Sequence, residues 1–310
     1  MIYTLTLNPA VDCEMTVADF CSGKVNRAKS EKLSPGGKGI NVSIILNRLG
    51  IATKALGICG GETGALLCKL LERSGCPYEM STFGADKLTR INVKLHAKGV
   101  ETEINGKGPE ITSSELGDFL VSLKYLVADG DTLLLAGSVP DSAPSDAYAQ
   151  TAERFKGRNV RIAADTSGQA LIDLLPMHPF IVKPNNFELG EVLDRSINTH
   201  AEALEGAARL QEMGARNVLV SLGGSGAVFL SENGEKLAIE APQGKVRNTV
   251  GAGDSLLAGF LAGLERYGDY KSALALGTAA GSATAFSDTL AERRSITRLY
   301  NKIKDSVAVM

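Results

Sequence analysis

Cysteine and histidine are scarce in this chain, at five and three of 310 residues. Cys13, Cys21, Cys59, Cys68 and Cys76 are odd in number, fall in the first quarter and never form a CxxC pair, which argues against a zinc centre and against a disulfide framework. His96, His178 and His200 belong to no motif. Neither sign of charge is in excess, with 33 Lys plus Arg against 35 Asp plus Glu. No global attraction to nucleic acid or to an anionic membrane is expected, and any anion site must be local. No apolar run approaches the roughly eighteen residues of a membrane-spanning helix. The strand-like opening Met1–Asn8 lacks the basic and apolar regions of a secretory signal, so the expected location is the cytoplasm. Two nucleotide loops are also missing. There is no GxxxxGK and no correctly spaced GxGxxG, so neither a Walker A loop nor a Rossmann fingerprint accounts for the glycines, and an NAD-binding dehydrogenase is disfavoured.

What is present is an alternation. Short apolar, β-rich runs (Ile2–Leu7, Thr132–Gly137, Val160–Asp165, Pro179–Pro184, Asn217–Gly223) recur between amphipathic stretches such as Ile40–Leu49, Thr63–Arg73, Ser113–Val127 and His200–Met213. Nearly continuous apolar strands are expected where both faces are covered. The pattern predicts an α/β fold with a central, mostly parallel sheet, helices on both faces, and ligands at the carboxyl ends of the strands. Residues 10–34 and 89–108 break the alternation. The second piece alternates apolar and polar residues around a turn at Lys98-Gly99, and the two together predict either a small separate β-sheet or a surface hairpin. The C-terminal third reads as helix over Gly251–Glu265 and Lys271–Phe286, rich in Ala and Gly that allow close helix packing.

The sharpest chemistry lies in Asn248-Thr-Val-Gly-Ala-Gly-Asp-Ser255. Gly251 and Gly253 flank Ala252 where a helix begins, so unpaired backbone N–H groups there face whatever approaches, with the helix dipole adding positive potential. Such a site suits the charge that builds on a phosphoryl group in transit. Asp254 follows in the first turn, where a carboxylate is favoured and can take a proton from a substrate hydroxyl. Taken alone, the same glycines are equally readable as an ordinary turn with an acidic helix start.

This segment resembles the C-terminal signature of the ribokinase-like, or PfkB-type, carbohydrate kinases. Their N-terminal signature has its counterpart in Ser34-Pro-Gly-Gly-Lys-Gly-Ile-Asn-Val-Ser43, followed by Gly50 and Gly60. Two motifs about two hundred residues apart extend the resemblance over essentially the whole chain. It implies a ribokinase-like fold, with residues 1–9, 35–88 and 109–310 as the large domain and residues 10–34 and 89–108 as a small β-sheet lid. The opening Thr4-Leu-Thr-Leu-Asn-Pro-Ala-Val-Asp12 is similar to the phosphosugar branch, which includes 1-phosphofructokinases and tagatose-6-phosphate kinases. The string Glu101–Asn105 followed by Gly108-Pro109 leans toward the former.

The resemblance implies roles residue by residue. Asp12 would hold sugar hydroxyls, Gly36, Gly37 and Gly39 would let the backbone approach the sugar, and Asn41 would offer both a donor and an acceptor. Lys38, Arg90 and Arg27 are the cations for the phosphate that the substrate already carries, and Ser138 would touch the substrate. For ATP, Lys183, Asn185 and Glu188 form an Asn-x-x-Glu element near the phosphates, with Glu188 acting on Mg²⁺ through water. Ser221, Gly223, Gly226 and Thr249 would line the nucleotide. Each has a plainer reading: a turn-former for Asp12, a local helix-start residue for Asn41, a solvated arginine for Arg27, and a helix start with an acidic first turn for Asn185–Glu188.

The expected reaction is in-line transfer from ATP–Mg²⁺ to a ketohexose phosphate, fructose 1-phosphate giving fructose 1,6-bisphosphate, with Asp254 as base and the lid excluding water. Tagatose 6-phosphate and fructose 6-phosphate are the alternative acceptors, and a non-catalytic sugar-phosphate sensor the remote one. The run Phe286–Arg294 departs from the relatives' monovalent-cation loop, leaving K⁺ activation open. Expected partners are small molecules, with neither nucleic acid nor membrane, and the lid strands are compatible with a homodimer.

Overall fold

The computed structural model describes residues 1–310. From the N-terminus, β1 (Ile2–Thr6) leads to β2 (Ala10–Val17), β3 (Ser30–Gly36), α1 (Lys38–Leu49) and β4 (Thr53–Gly60). Next come α2 (Gly61–Ser74), β5 (Tyr78–Phe83), the hairpin of β6 (Arg90–Ala97) and β7 (Val100–Asn105), α3 (Ser113–Leu126) and β8 (Thr132–Ala136). The second half runs through α4 (Ala147–Glu153), β9 (Arg161–Asp165), α5 (Gly168–Leu174), β10 (Ile181–Val182) and α6 (Asn186–Leu193). It continues with α7 (His200–Glu212), β11 (Asn217–Ser221), β12 (Ala227–Leu230) and β13 (Lys236–Ile239). Three helices, α8 (Ala252–Tyr267), α9 (Tyr270–Ala285) and α10 (Arg293–Ile303), precede the short β14 (Ala308–Val309).

Ten strands form one sheet in the order β14-β13-β12-β11-β10-β9-β8-β1-β4-β5. Pairing is parallel from β5 through β11 and antiparallel beyond it. The apolar strands predict this double cover, and the period of two divides their residues between its halves. Leu133 and Leu135 of β8 join the core beneath α3, α4, α5 and α7, whereas Leu134 and Ala136 join the core beneath α1, α8, α9 and α10. Each fully buried leucine contributes roughly 1.5–3 kcal/mol through water exclusion. The antiparallel hairpin β12–β13 and the β14 edge were not legible in the sequence, and the Pro179–Pro184 run holds only a two-residue strand.

The small residues of the C-terminal third act as expected. A Cβ on Gly259 would stand 2.6 Å from the Leu276 carbonyl oxygen, and one on Gly277 would stand 2.7 Å from that of Leu256, so α8 and α9 approach at backbone distance.

The two extended pieces pair as a second, four-stranded sheet in the order β3-β2-β6-β7. Its hairpin turns at Lys98 (φ 49°) and Gly99 (φ 77°), the two positive values that a type I′ turn requires. Asp12 lies opposite Ser34 and Asn92, and Asn92 opposite Asn105, which sets a polar row on one face. One residue along, Leu33, Cys13, Val93 and Ile104 form an apolar row on the other.

Candidate active site

Helix α8 begins at Gly251, whose φ of 75° lies in the left-handed region and whose missing Cβ would otherwise stand 2.6 Å from Leu290 Cδ2. No side chain caps this helix. The Ala252 N–H donates to the Thr249 carbonyl and the Ser255 N–H to that of Gly251, while the N–H groups of Gly253 and Asp254 between them have no carbonyl four residues back within the helix. Lys183 Nζ lies 3.5 Å from where a Gly253 Cβ would be, so an ammonium group stands beside the open helix end.

Asp254 is buried, and its Oδ2 accepts a 2.7 Å hydrogen bond from Asn41 Nδ2. Burial first, and the charge of Asp165 second, push the Asp254 carboxyl up to about 6, against the opposing pull of Lys38, Asn41 and Lys183. A carboxylate poised there is ionised near neutrality yet a stronger base than an exposed aspartate. One N–H of the amide expected to serve the sugar thus orients the Asp254 carboxyl.

Behind these groups lies a residue that the motifs did not single out. Asp165, fully buried at the carboxyl end of β9, receives Lys38 Nζ on Oδ1 at 2.9 Å. Its Oδ2 stands 3.2 Å from Lys183 Nζ, as an ion pair rather than a well-directed hydrogen bond. Desolvation opposes its charge, but Lys183 and Lys38 outweigh that and hold its carboxyl below the usual range. Burial likewise works against the Lys38 charge, and Asp165, Glu188 and Asp254 together keep its pKa above the ordinary value. The signal was available: Asp165 is the one acid that ends a parallel strand of the central sheet at the ligand-bearing edge.

Glu188 serves two partners. Its Oε2 accepts from the Asn185 N–H at 2.9 Å while Asn185 Oδ1 accepts from the Glu188 N–H at 2.8 Å, a reciprocal capping box that starts α6. The other oxygen, Oε1, accepts from Lys38 at 3.3 Å. The Asn-x-x-Glu element is therefore both a helix start and part of the charge network. Asp12, on the small sheet, accepts from Asn92 at 2.9 Å and from Lys94 at 2.8 Å, two partners that the sequence had not linked to it. Gly36 must be glycine here, because a Cβ would fall 2.3 Å from Asp12 Oδ1.

Two cavities flank this cluster. The larger, about 690 Å³, is lined by Gly37, Lys38, Arg90, Ser138, Thr166 and Glu188 among others. The smaller, about 200 Å³, is lined by Asp12, Asn41, Lys94, Asn248 and Val250 among others. The sequence grouped Asp12 and Asn41 with Lys38, Arg90 and Ser138; the structure divides them, since the first turn of α1 presents Lys38 to one cavity and Asn41 to the other. Arg90 is tied by Nε to the Asn8 carbonyl at 3.1 Å and by Nη1 to that of Gly106 at 3.4 Å. Arg27 lies exposed in the loop between β2 and β3 and lines neither cavity. Ser221 bridges to Asn185, Gly223 and Gly226 bracket an adjacent turn, and Thr249 is exposed; none of the four lines either cavity.

This arrangement offers a buried base with an elevated pKa, an N–H pair with an ammonium group beside it, and cations that face a polar cavity. It suits abstraction of a hydroxyl proton coupled to transfer of an anionic group.

The family described as pfkB family carbohydrate kinase matches residues 5–292. Among curated relatives, a 1-phosphofructokinase of Bacillus subtilis (strain 168) is 44% identical over 304 residues, covering 98% of this chain and 99% of that protein. A D-tagatose-1-phosphate kinase of Bacillus licheniformis is 33% identical over 98% of this chain and 99% of its own length. A solved structure of phosphofructokinase-2 from Escherichia coli in complex with substrates and products is 28% identical, with a TM-score of 0.89, and covers 97% of this chain and 98% of that one.

Proposed function

The chain belongs to the pfkB family of carbohydrate kinases, and from that membership we propose that it transfers the γ-phosphate of ATP to fructose 1-phosphate, giving fructose 1,6-bisphosphate and ADP. The observation that carries the reading is the Asp254 carboxylate held by Asn41 at the uncapped start of α8. Asp254 takes the hydroxyl proton as the substrate oxygen bonds to the γ-phosphorus and the bond from that phosphorus to the bridging oxygen of ADP breaks. The N–H groups of Gly253 and Asp254, with Lys183, stabilise the charge on the moving phosphoryl group. Asp12, from the smaller cavity, and Ser138, from the larger, orient a sugar that bridges the two, while Lys38 and Arg90 in the larger cavity face its existing phosphate. Asn185, Ser221, Gly223, Gly226 and Thr249 meet the nucleotide.

The protein has no group of three or more His, Cys, Asp or Glu arranged to hold a metal. That fits Mg²⁺, which keeps several waters and binds mainly through substrate phosphates and one or two carboxylates. Glu188, which lines the large cavity, would hold it through water, and the bound ion would neutralise phosphate charge. K⁺ dependence stays outside the proposal, since Phe286–Arg294 departs from the pattern expected of a monovalent-cation loop.

The small sheet, drawn from residues 10–34 and 89–108, serves in this reading as a lid on the larger domain, closing over the sugar phosphate. Leu33, Ile91, Val100 and Ile104 are exposed on its apolar face, which supports a homodimer through the lids and is checked by sedimentation equilibrium. No helix is long and apolar enough to cross a membrane, and the enzyme is proposed to act in the cytoplasm.

The testing experiment compares kcat/KM for fructose 1-phosphate, tagatose 1-phosphate, tagatose 6-phosphate and fructose 6-phosphate at fixed Mg²⁺. Preference for fructose 1-phosphate is expected. The relative acting on tagatose 1-phosphate makes that sugar the second reading, and preference for a 6-phosphate would retain the mechanism and move the substrate. Absence of turnover on all four would defeat the proposal and leave a sugar-phosphate sensor.

A further inference from the structure

A cavity of about 430 Å³ opens at the amino ends of β9, β10 and β11, the opposite end of the strands that carry Asp165, Lys183 and Ser221. Its size lies within the roughly 300–1,000 Å³ usual for small-molecule sites. The chain as a whole carries a formal charge of −2, yet Lys156, Arg158, Arg161 and Arg216 all line this cavity, with Glu153 the one acid among the lining residues. Phe180, just ahead of β10, also lines it, and the guanidinium carbons of Arg161 and Arg216 lie 5.6 and 5.8 Å from the centre of its ring. Stacking on an aromatic face fixes a guanidinium and leaves its N–H edge free for oxygen ligands.

The hydrogen bonds separate the arginines by role. Arg158 is engaged through all three nitrogens, by Nε to Asp129 and by its two terminal nitrogens to the carbonyls of Lys124 and Val127, and forms a wall. Arg216 uses only Nε, on Glu232 at 2.7 Å, and Arg161 uses only Nη2, on Glu265. Both acids belong to partly exposed pairs, the kind worth about 0–1 kcal/mol and readily rearranged. Two guanidiniums with free N–H groups thus lie against one ring, in a cavity outside the phosphoryl-transfer machinery.

We propose that this cavity is a second anion site, which takes a small phosphate-type anion on the free N–H groups of Arg161 and Arg216. Inorganic phosphate is the probe, and Met177, one of the six methionines and a lining residue, is the reporter. The protein is labelled with ¹³C-methyl methionine, the Met177 signal is assigned by its loss in Met177→Leu, and phosphate is titrated at constant ionic strength set with potassium chloride. The expected result is a saturable shift of the Met177 signal, with affinity at least tenfold weaker in Arg161→Gln/Arg216→Gln. An absent or linear response, an equal response to chloride, or unchanged affinity in the double variant would each overturn the proposal. Neither arginine touches the Asp254 cluster, and the readout is independent of turnover, so failure here and failure of the kinase reading are distinguishable.

Discussion

Asn41→Ala removes the one side-chain donor to the Asp254 carboxylate, a 2.7 Å bond inside a buried site. A hydrogen bond to a charged group contributes about 1.5–3 kcal/mol, and one pKa unit corresponds to about 1.4 kcal/mol, so its loss raises the pKa by roughly 1–2 units. From a starting value of about 6, the carboxyl moves to roughly 7–8. Near pH 7 the ionised fraction then falls from ~0.9 to between ~0.5 and ~0.1, and the acid limb of the kcat/KM profile, which reports the unliganded enzyme, shifts upward by the same interval. The assay is kcat/KM for both proteins, from about pH 5 to pH 9 at fixed free Mg²⁺. ATP and sugar phosphate titrate in this range too, but identically for the two enzymes, so the difference between the profiles belongs to the protein. A variant whose kcat/KM drops uniformly, with its acid limb unmoved, would refute the assignment of Asp254 as the titrating base held by Asn41.

Asp165→Asn is expected to move the same limb the other way, because it removes a negative neighbour while Lys38 and Lys183 remain; it should also destabilise the fold by about 3–5 kcal/mol in denaturant titration, having left two cations without their shared partner. Asp254→Asn should lower kcat by roughly 10²–10⁴-fold, and near-normal turnover would remove Asp254 from the mechanism. Its stability effect has a definite sign. The folded pKa is raised from 3.8 to about 6, so ionisation costs the native state on the order of 3 kcal/mol, a penalty absent below about pH 4 and complete above about pH 6. The variant should therefore melt higher than the unaltered protein at pH 8, with the gain shrinking toward pH 4 in paired calorimetric scans. Gly36→Ala places a Cβ 2.3 Å from Asp12 Oδ1 and should cut kcat/KM for the sugar phosphate by at least ~10-fold with circular dichroism unchanged; an unaffected kcat/KM would mean that Asp12 does not meet the substrate.

The central sheet was legible because strands covered on both faces leave continuous apolar runs such as Leu133–Ala136, and helices leave a 3.6-residue period. The start of α8 was legible because a left-handed residue before an uncapped helix demands glycine, which Gly251 supplies. The β12–β13 hairpin escaped notice because Ala227–Leu230 is buried throughout, and a short buried run without alternation does not announce its direction. Arg27 drew attention as a cation in an extended piece, but charge in a sequence carries no address, and its loop stands away from both cavities.

By itself, then, the sequence determined the α/β class, the two glycine motifs and the candidate base, because each rests on local requirements: periodicity, positive φ, an acid in the first turn of a helix. Only the tertiary structure decided that Asn41 orients Asp254, that Asp165 ties Lys38 to Lys183, and that Lys94 and Asn92 hold Asp12. Those partners lie 213, 127, 82 and 80 positions apart along the chain for the Asn41–Asp254, Lys38–Asp165, Asp12–Lys94 and Asp12–Asn92 bonds. They meet because parallel strands deliver their carboxyl ends to one edge, and the small sheet turns its polar face toward the smaller cavity. Burial there removes competing water, so charges that would be independent in solution set one another's protonation.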